Sequence, residues 1–293
     1  SWVVTAYLLT STTVVPIVGK LSDQFGRKWL LLAGIALFLL GSALAGTAHT
    51  MTQLILFRSL QGVGAGFIQT LAFTLVADLF PPAERARWQG VFVSVLALAL
   101  IVGPAIGGVI TDHATWRWVF YVNLPVGALA LLILTLWLPF TISARSTAYR
   151  GWAAIRRIDF IGALTAATAT TCLLLGLTWG GANYPWGSAQ VVGVLVAAGV
   201  LYLAFLIAER FVNEPLLPLD LFRNQVFAAS GLLGLAGGMI FYAVIFYLPL
   251  FIQGVLGQTA TSSGAAIAPL MIPVAVSAVL GGQLIARVGR YQF

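Results

Sequence analysis

The sequence carries very little charge. Only 8% of its 293 residues are Asp, Glu, Lys or Arg, and 60% are hydrophobic, whereas a soluble domain carries about 25% charged residues. So few charges cannot cover a water-facing surface, which excludes an ordinary soluble globular protein. The ~10-residue segments of alternating polarity that build a membrane barrel are also missing. The composition therefore predicts an all-α membrane protein whose surroundings are mostly lipid.

Residues that carry chemistry are scarce as well. Cys172 is the single cysteine, so no internal disulfide can form, and its apolar neighbours predict a small buried hydrophobe. His49 and His113 fall in short turns between apolar segments and belong to no metal-ligand spacing or catalytic set. A Gly-x-x-x-x-Gly-Lys-[Ser/Thr] phosphate loop is absent too. We therefore expect neither an enzyme nor an ATP-driven protein, and no cofactor and no metal.

What the chain does contain is a series of long apolar segments. Nine of them approach the ~20 residues that a helix needs to cross a bilayer. Glycine is abundant at 31 residues, as is typical where membrane helices pack closely through small side chains. The predicted spans cover residues 2–19, 30–48, 53–79, 89–111, 118–139, 158–180, 189–208, 226–252 and 262–285.

The basic residues fall in alternate turns between these spans. Thirteen of the 15 Lys and Arg residues lie in one set of turns, Arg117 lies in the other set, and Arg58 lies inside a span. Basic residues collect on the cytoplasmic side of a membrane. The distribution therefore predicts a multi-pass protein of the cell membrane, with Ser1 outside and Phe293 in the cytoplasm. It also assigns the net charge of +7 to topology and contact with the lipid bilayer rather than to nucleic acid.

One short pattern occurs twice. Residues 19–28 (GKLSDQFGRK) and 282–290 (GQLIARVGR) both close an apolar span with glycines and an arginine. Membrane proteins that repeat a turn in the same orientation are built from two parallel halves. We predict an N-terminal helical bundle at 1–139, a cytoplasmic linker with two inserted helices at 140–208, and the start of a C-terminal bundle at 209–293. If the halves match, the chain is a fragment, with one span expected before it and four after it, fourteen in all.

Arg58 lies more than one turn inside its span. An arginine at membrane depth costs ~2.5 kcal/mol or more and normally faces a protein interior or water. Arg58, Gln61, Ala65 and Gln69 are spaced i, i+3, i+7 and i+11, which returns to one helical face. The spacing predicts a polar stripe along one wall of the helix. Two structural alternatives stay open, namely that Arg58 snorkels outward or that it pairs with a backbone carbonyl.

Two further patterns follow in the next spans. Residues 103–108 (GPAIGG) hold a Gly-x-x-x-Gly face formed by Gly103 and Gly107, and Pro104 removes a backbone donor and bends the helix. By itself this pattern describes a kinked packing helix. Residues 116–127 (WRWVFYVNLPVG) carry aromatic side chains that suit the outer membrane interface.

These patterns closely resemble the signatures of the major facilitator superfamily, and within it those of the fourteen-span drug:proton antiporters. The resemblance covers residues 1–127 well and is weaker over 158–293. It implies a polytopic helical bundle of the major facilitator type that works by alternating access, with about nine of fourteen transmembrane helices in this chain. Gln24 and Ala286 depart from the family's basic turn, where a basic residue and an aspartate are common.

The resemblance also implies roles for individual residues. It implies a proton gradient as the energy source and assigns proton coupling to Arg58. It assigns export by exchange to the glycine–proline pattern, for which a kinked packing helix with no bearing on the direction of transport is the alternative. It assigns the inner latch between the two halves to the first basic turn, to which we add a hypothetical ion pair between Arg27 and Asp78. The gating residues are Gly19, Asp23, Gly26, Arg27 and Asp78, and the antiporter residues are Gly103, Pro104, Gly107 and Gly108.

The whole pattern predicts a proton-coupled secondary transporter that exports drug-like or amphiphilic compounds. A facilitator-type transporter of a polar metabolite and a non-transporting membrane scaffold or membrane enzyme are the alternatives. Every Asp and Glu lies at a span boundary or in a turn, so the proton-carrying carboxylate is expected in spans outside this chain. The expected partners are a small-molecule substrate, protons and lipid; the oligomeric state stays open, with a monomer expected. The candidate cavity residues are Gln61, Gln69, Tyr242 and Phe246.

Overall fold

The computed structural model describes residues 2–138, 159–212, 215–258, 262, 266 and 268–288. The predicted linker at 140–157, the second basic turn beyond Val288, and both terminal residues lie outside the described residues. Their predicted positions relative to the membrane stay predictions.

The described chain is built of helices, without a strand. In lipid every backbone N–H and C=O group must find its partner within the segment itself, so long apolar runs fold as helices. In chain order the helices are α1 (Trp2–Phe25), α2 (Arg27–Thr47), α3 (Met51–Leu79), α4 (Pro82–His113), α5 (Trp118–Tyr121), α6 (Asn123–Trp137), α7 (Phe160–Trp179), α8 (Ala189–Ala208), a 3₁₀ turn (Leu219–Arg223), α9 (Gln225–Gly254) and α10 (Ala268–Val288).

Length and composition make seven of the described helical segments able to cross a membrane. The two other predicted spans fall on α4 and α10, which have 32 and 21 residues and extend about 48 and 32 Å at 1.5 Å per residue. The prediction of an all-α membrane protein is confirmed. The seven segments are Trp2–Ser22, Arg27–Thr47, Met51–Leu79, Trp118–Trp137, Ile161–Trp179, Ala189–Ala208 and Gln225–Gly254.

The first basic turn is much shorter than its ten-residue pattern suggests. Helix α1 continues through Phe25, and α2 starts at Arg27. Only Gly26 separates them, with a φ of 87° that glycine adopts without the steric cost a Cβ would bring. No residue between Gly19 and Phe25 interrupts the backbone hydrogen bonds, so the helix runs on past the end of the apolar segment.

The span predicted at 118–139 is divided in two. Helix α5 ends at Tyr121, and α6 begins at Asn123 after a turn at Val122. Pro125 explains the break, since it has no N–H to donate to the carbonyl of Tyr121 four residues earlier. In the first turn of a new helix that missing donor costs nothing, because the first N–H groups have no partner within the helix.

The chain forms two compact units. In the first unit, residues 1–72 and 120–220, α2 packs against α6, α7 packs against α8, and α1 contacts α2 and α7. Thr170 of α7 and Tyr202 of α8 share a hydrogen bond of 2.8 Å between their hydroxyl oxygens. In the second unit, residues 73–119 and 221–293, α4 packs against α10. The predicted division into two bundles and a linker stays a prediction.

Glu209 is a buried carboxylate of the first unit, at the end of α8 and outside the span. Only 4% of its surface is exposed, and its carboxylate accepts hydrogen bonds from the backbone N–H groups of Leu216 and Leu217, at 3.2 and 3.3 Å. Burial raises the pKa of Glu209; the two hydrogen bonds oppose this effect, the charge of Asp159 adds to it, and Lys20 opposes it. The carboxylate thus fastens the chain after α8 at a cost in desolvation.

This burial predicts a pH dependence of stability that Glu209→Gln should reduce. The folded-state pKa lies above the unfolded value of ~4.3, so the protonated carboxyl favours the folded state, and this stabilisation is lost as the pH rises through the folded-state pKa. Melting temperatures of the purified protein at pH 4.5 and pH 7.5 measure the loss. We expect a smaller loss in Glu209→Gln than in wild type, and an unchanged loss in the exposed control Glu84→Gln. Equal losses in wild type and Glu209→Gln would contradict the assignment.

Candidate functional site

Arg58 lies two turns into α3 and is partly buried within the first unit. Its Nη1 donates a hydrogen bond to Gln61 Oε1 at 2.8 Å, and its Nε makes a long contact of 3.4 Å to the carbonyl of Val3. The guanidinium carbon lies 4.1 Å from the ring centre of Tyr7 and 5.8 Å from that of Phe120. Cation–π contacts at these distances stabilise a cation. Arg58 therefore lies against protein groups from α1, α3 and α5. Its contact with the carbonyl of Val3 also fits the alternative that Arg58 pairs with a backbone carbonyl.

The hydrogen bonds continue from Gln61 into α2 and α6. Gln61 is only 1% exposed, and its Nε2 donates to Ser42 Oγ at 3.0 Å. Ser42 Oγ donates to the carbonyl of Phe120 at 2.9 Å and accepts from Asn123 Nδ2 at 3.1 Å. We call Tyr7, Ser42, Arg58, Gln61 and Asn123 the Arg58 network. It joins four helices of the first unit, and Phe120 of α5 closes it through its ring and carbonyl.

Glycines allow the helices around this network to approach closely. A Cβ built on Gly62 would lie 2.1 Å from Thr10 Oγ1 and 2.5 Å from the carbonyl of Tyr7, and one on Gly66 would lie 2.5 Å from the carbonyl of Ser11. Thr10 Oγ1 also donates to the carbonyl of Ser59 at 2.9 Å. Gly62 and Gly66 thus allow α1 to pack closely against α3.

Helix α2 approaches the same part of α3 from the other side. A Cβ on Gly41 would lie 2.6 Å from the backbone nitrogen of Gln61, and one on Gly64 would lie 2.4 Å from the backbone nitrogen of Phe38. Near the end of α2, a Cβ on Gly46 would lie 2.3 Å from the ring of Tyr121. These contacts fix where Arg58 sits relative to α2 and α5.

Lys28, in the first basic turn, has a structural partner that the sequence did not reveal. Only 3% of its surface is exposed, and its Nζ donates to the carbonyls of Thr135 and Leu138, at 2.9 and 2.5 Å. The last carbonyls of a helix lack partners within it, and a cation at this end is favourable for the helix dipole. Lys28 therefore caps α6 and ties the turn to the point where the chain leaves that helix.

The predicted gating residues lie at the ends of α1, α2 and α3. Arg27 is 8% exposed at the start of α2, and Asp78 is exposed in the last turn of α3. The side chain of Asp23 lies outside the described residues. A Cβ built on Gly19 would have no described atom within 4 Å. The ion pair between Arg27 and Asp78 stays a prediction.

The predicted end of α3 is confirmed. The helix stops at Leu79, Pro81 caps α4, and Pro82 occupies its first turn, where the fixed φ and missing N–H of proline fit. Phe80 and Trp88 stack across this joint, with ring centres 4.5 Å apart, and hold the start of α4 in place.

The glycine–proline pattern lies in the second half of α4. Gly108 is buried, whereas no described atom lies within 4 Å of a Cβ built on Gly103 or Gly107. The side chain of Pro104 is outside the described residues. A packing partner for the Gly-x-x-x-Gly face is therefore not found in the described part of the chain, and the role of this motif in exchange stays a prediction.

The first half of α4 packs closely on α10, the helix that leads into the second basic turn. A Cβ on Gly90 would lie 2.5 Å from the carbonyl of Ala278, and Ser94 Oγ lies 3.2 Å from the carbonyl of Ala275. A helix from the first predicted half thus meets one from the second, within one compact unit.

Next to this seam lies an apolar cavity of about 300 Å³ between α9 and α10. Phe241 and Met271 are among its lining residues. Of the predicted cavity residues, Tyr242 is half exposed and does not line it, Phe246 has a side chain outside the described residues, and Gln69 is exposed on α3. Gln61 belongs to the Arg58 network. The assignment of these four residues to a substrate cavity stays a prediction.

Sequence reasoning placed Arg58 and Gln61 on one face but missed Ser42 and Asn123. A serine among the glycines and alanines of residues 41–46, and an asparagine just before Leu124 and Pro125, are the signals that the sequence offered. Within the described ranges, no group of three or more His, Cys, Asp or Glu side chains is placed to hold a metal ion.

Comparison with known proteins adds relatives along the whole chain. The chain is 40% identical over 289 residues to the multidrug transporter protein MdtP of Bacillus subtilis (strain 168), covering 99% of this chain and 52% of that protein. It is 39% identical over 282 residues to multidrug resistance protein 3 of the same organism, covering 96% of this chain and 53% of that protein. It is 36% identical over 281 residues to the MFS-type efflux transporter ffsH of Aspergillus flavipes, covering 94% and 49%.

The chain thus spans about half the length of the curated relatives it matches. A family model described as Major Facilitator Superfamily matches residues 1–293. Together with the apolar helices, these matches identify a multi-pass membrane protein of a transporter family rather than an enzyme. The chain belongs to the major facilitator superfamily.

Proposed function

We propose that this chain is part of a proton-coupled exporter of drug-like or amphiphilic compounds. The observation that carries the proposal is the position of Arg58, held within the first unit by Gln61 and Tyr7. It is supported by two relatives named as a multidrug transporter protein and a multidrug resistance protein. A guanidinium kept at membrane depth is costly, and intramembrane charges mark ion and substrate pathways.

A fixed guanidinium suits proton coupling for an electrostatic reason. A nearby cation favours the ionised form of a carboxylate and lowers its pKa, so changing their separation changes how readily the carboxylate takes up or releases a proton. Arg58 would supply the cation, and the carboxylate would come from another part of the transporter. Proton uptake and substrate release are then two consequences of one change in conformation.

Alternating access requires one helical bundle to rock against another around a central site. The close seam between α4 and α10, at Gly90 and Ala278, supports a role for α4 in this motion. We propose that Gly103, Pro104, Gly107 and Gly108 favour exchange, as the resemblance implies.

The first basic turn would act as the inner latch. Gly26 provides a one-residue joint with a positive φ, and Lys28 caps α6. In this proposal Gly19 and Asp23 belong to the same turn, and Arg27 pairs with Asp78 in one conformation of the cycle and separates from it in another.

The apolar cavity between α9 and α10 supports a lipophilic substrate class. Its volume of about 300 Å³ lies at the lower end of the ~300–1,000 Å³ typical of ligand pockets. Tyr242, Phe246 and Gln69 are proposed to line the substrate path of the complete transporter, with Gln61 acting through Arg58.

Efflux of a fluorescent lipophilic cation from energised cells that express the complete transporter tests this function. We expect efflux above the level of vector-only cells, loss of efflux with a protonophore, and competition by other lipophilic cations. Competition by polar metabolites alone would support the metabolite transporter, and no efflux of any probe would support a scaffold. Either result would overturn the proposal.

A further inference from the structure

Asn123 and Ser42 stand at the far end of the hydrogen bonds that hold Arg58. Asn123 belongs to the WRWVFYVNLPVG turn, and neither it nor Ser42 contacts Arg58 directly in the network. We propose that Asn123 is a positioning residue for Arg58, acting through Ser42 and Gln61, and that this turn thereby sets the orientation of the coupling guanidinium. This inference rests on the proposed function and deepens it.

The direction of every hydrogen bond in the network follows from Arg58. A guanidinium only donates, so the amide oxygen of Gln61 must face it, and the amide nitrogen must face Ser42. Ser42 Oγ then accepts from Gln61 Nε2, at 3.0 Å, and its own hydrogen remains available for the carbonyl of Phe120, at 2.9 Å. Asn123 Nδ2 supplies the second hydrogen to Ser42 Oγ, at 3.1 Å.

Ser42 uses its full hydrogen-bonding capacity in this arrangement. A hydroxyl has one donor and two acceptor positions, and all three are occupied, by Phe120, Gln61 and Asn123. Ser42 is also completely buried, so water cannot replace a lost partner. A buried polar group without a partner costs more than the bond itself was worth; the network therefore has one low-energy arrangement, and Gln61 has one amide orientation.

The packing around Gln61 removes the other ways in which it could move. A Cβ on Gly41 would lie within 2.8 Å of three atoms of Gln61, so the helix backbones are in contact there, and Gln61 itself is 1% exposed. Its side chain is held by Arg58 at one end and by Ser42 at the other. Removal of Asn123 takes away the donor that completes Ser42, which frees the hydroxyl to rotate and weakens the hold on Gln61 and Arg58.

Asn123→Leu in the complete transporter tests this inference. Leucine has the same number and branching of side-chain heavy atoms as asparagine but no polar atom, so the donor is lost while the side chain keeps its branched form. We expect proton-driven uphill transport to fall about tenfold, the scale of one lost hydrogen bond in a buried network, and the pH profile of transport to shift. Affinity for the substrate, measured by binding without a proton gradient, should change by less than about twofold, because Asn123 acts on coupling.

Three further variants separate positioning from a structural defect. Ser42→Ala should give the same loss, and adding Asn123→Leu to it should cost little more, since coupled residues are not additive. Asn224 caps α9 and belongs to no part of the network, so Asn224→Ala should lower the melting temperature and leave the pH profile unchanged. If Asn123→Leu does not fold, Ser42→Ala carries the same test.

The two levels of the proposal fail in different ways. Uncoupled transport by the wild type would overturn the proposed function, whatever Asn123 does. A coupled wild type combined with an unshifted pH profile in both Asn123→Leu and Ser42→Ala would overturn the positioning role alone. Additive losses in the double variant would also overturn it, because they would place Asn123 and Ser42 in independent pathways.

Discussion

Replacing Arg58 with alanine is expected to abolish proton-driven export while leaving the protein in the membrane. Among the described helices, Arg58 is the charged residue farthest from both ends of its helix. Its removal deletes the cation that is proposed to act on the coupling carboxylate. It also leaves Gln61 Oε1 without its donor. The steps of transport that depend on this charge should therefore fail. Insertion of the protein into the membrane depends on the apolar composition of the helices and should continue.

Transport driven by an imposed pH gradient in membrane vesicles measures this effect. Arg58→Ala should show no accumulation above the passive level, at an amount of protein in the membrane equal to that of wild type. Arg58→Lys keeps the charge but loses the planar group that binds Gln61 and stacks on Tyr7, and Arg and Lys are not interchangeable at such a site. It should give intermediate accumulation. Wild-type accumulation by Arg58→Ala would remove Arg58 from the coupling mechanism.

Replacing Gly62 or Gly64 with alanine is expected to destabilise the first unit severely. The new Cβ at Gly62 would meet Thr10 and the carbonyl of Tyr7, and the new Cβ at Gly64 would meet backbone atoms of Phe38 and Gly34. Backbone atoms of packed helices cannot turn aside as the end of a flexible side chain can. The cost should therefore reach or exceed the upper end of the ~1–3 kcal/mol usual for overpacking, and much of the protein should fail to assemble.

Glycines in open positions supply the matched controls. No atom of the described residues lies within 4 Å of a Cβ built on Gly193 of α8 or Gly231 of α9. Alanine at these helical positions reduces the conformational freedom that the unfolded chain loses on folding. The substitution should therefore be neutral or stabilise the protein by ~0.5–1 kcal/mol. Melting temperatures of detergent-purified variants give the comparison. Similar melting temperatures for Gly62→Ala and Gly193→Ala would mean that α1 and α3 are not in close contact.

The helices could be predicted from the sequence because lipid leaves the backbone few choices. Long apolar runs must satisfy their own hydrogen bonds, and within the described residues a helix lies in each of the nine predicted spans. Arg58 could be singled out for the same reason, since a charge is conspicuous in an apolar run. Its neighbour Gln61 followed from the helical period.

The partners of these residues could not be predicted. Ser42 and Asn123 lie 19 and 62 positions from Gln61 in the chain, and a serine among small residues is equally suited to plain packing. The role of Lys28 was hidden because a basic residue beside a membrane already has an explanation in topology. The length of the first turn was misjudged because a helix can continue beyond the end of an apolar run. Helix α1 ends at Phe25 because Gly26, with its positive φ, breaks the helix there.

The most direct test of coupling is proton movement in proteoliposomes that contain the complete transporter, followed with a pH-sensitive dye inside the vesicles. Addition of a lipophilic cationic substrate should change the internal pH in wild type, with a much smaller change in Asn123→Leu and none in Arg58→Ala. A substrate-induced pH change of equal size in wild type and Arg58→Ala would contradict the central role of Arg58.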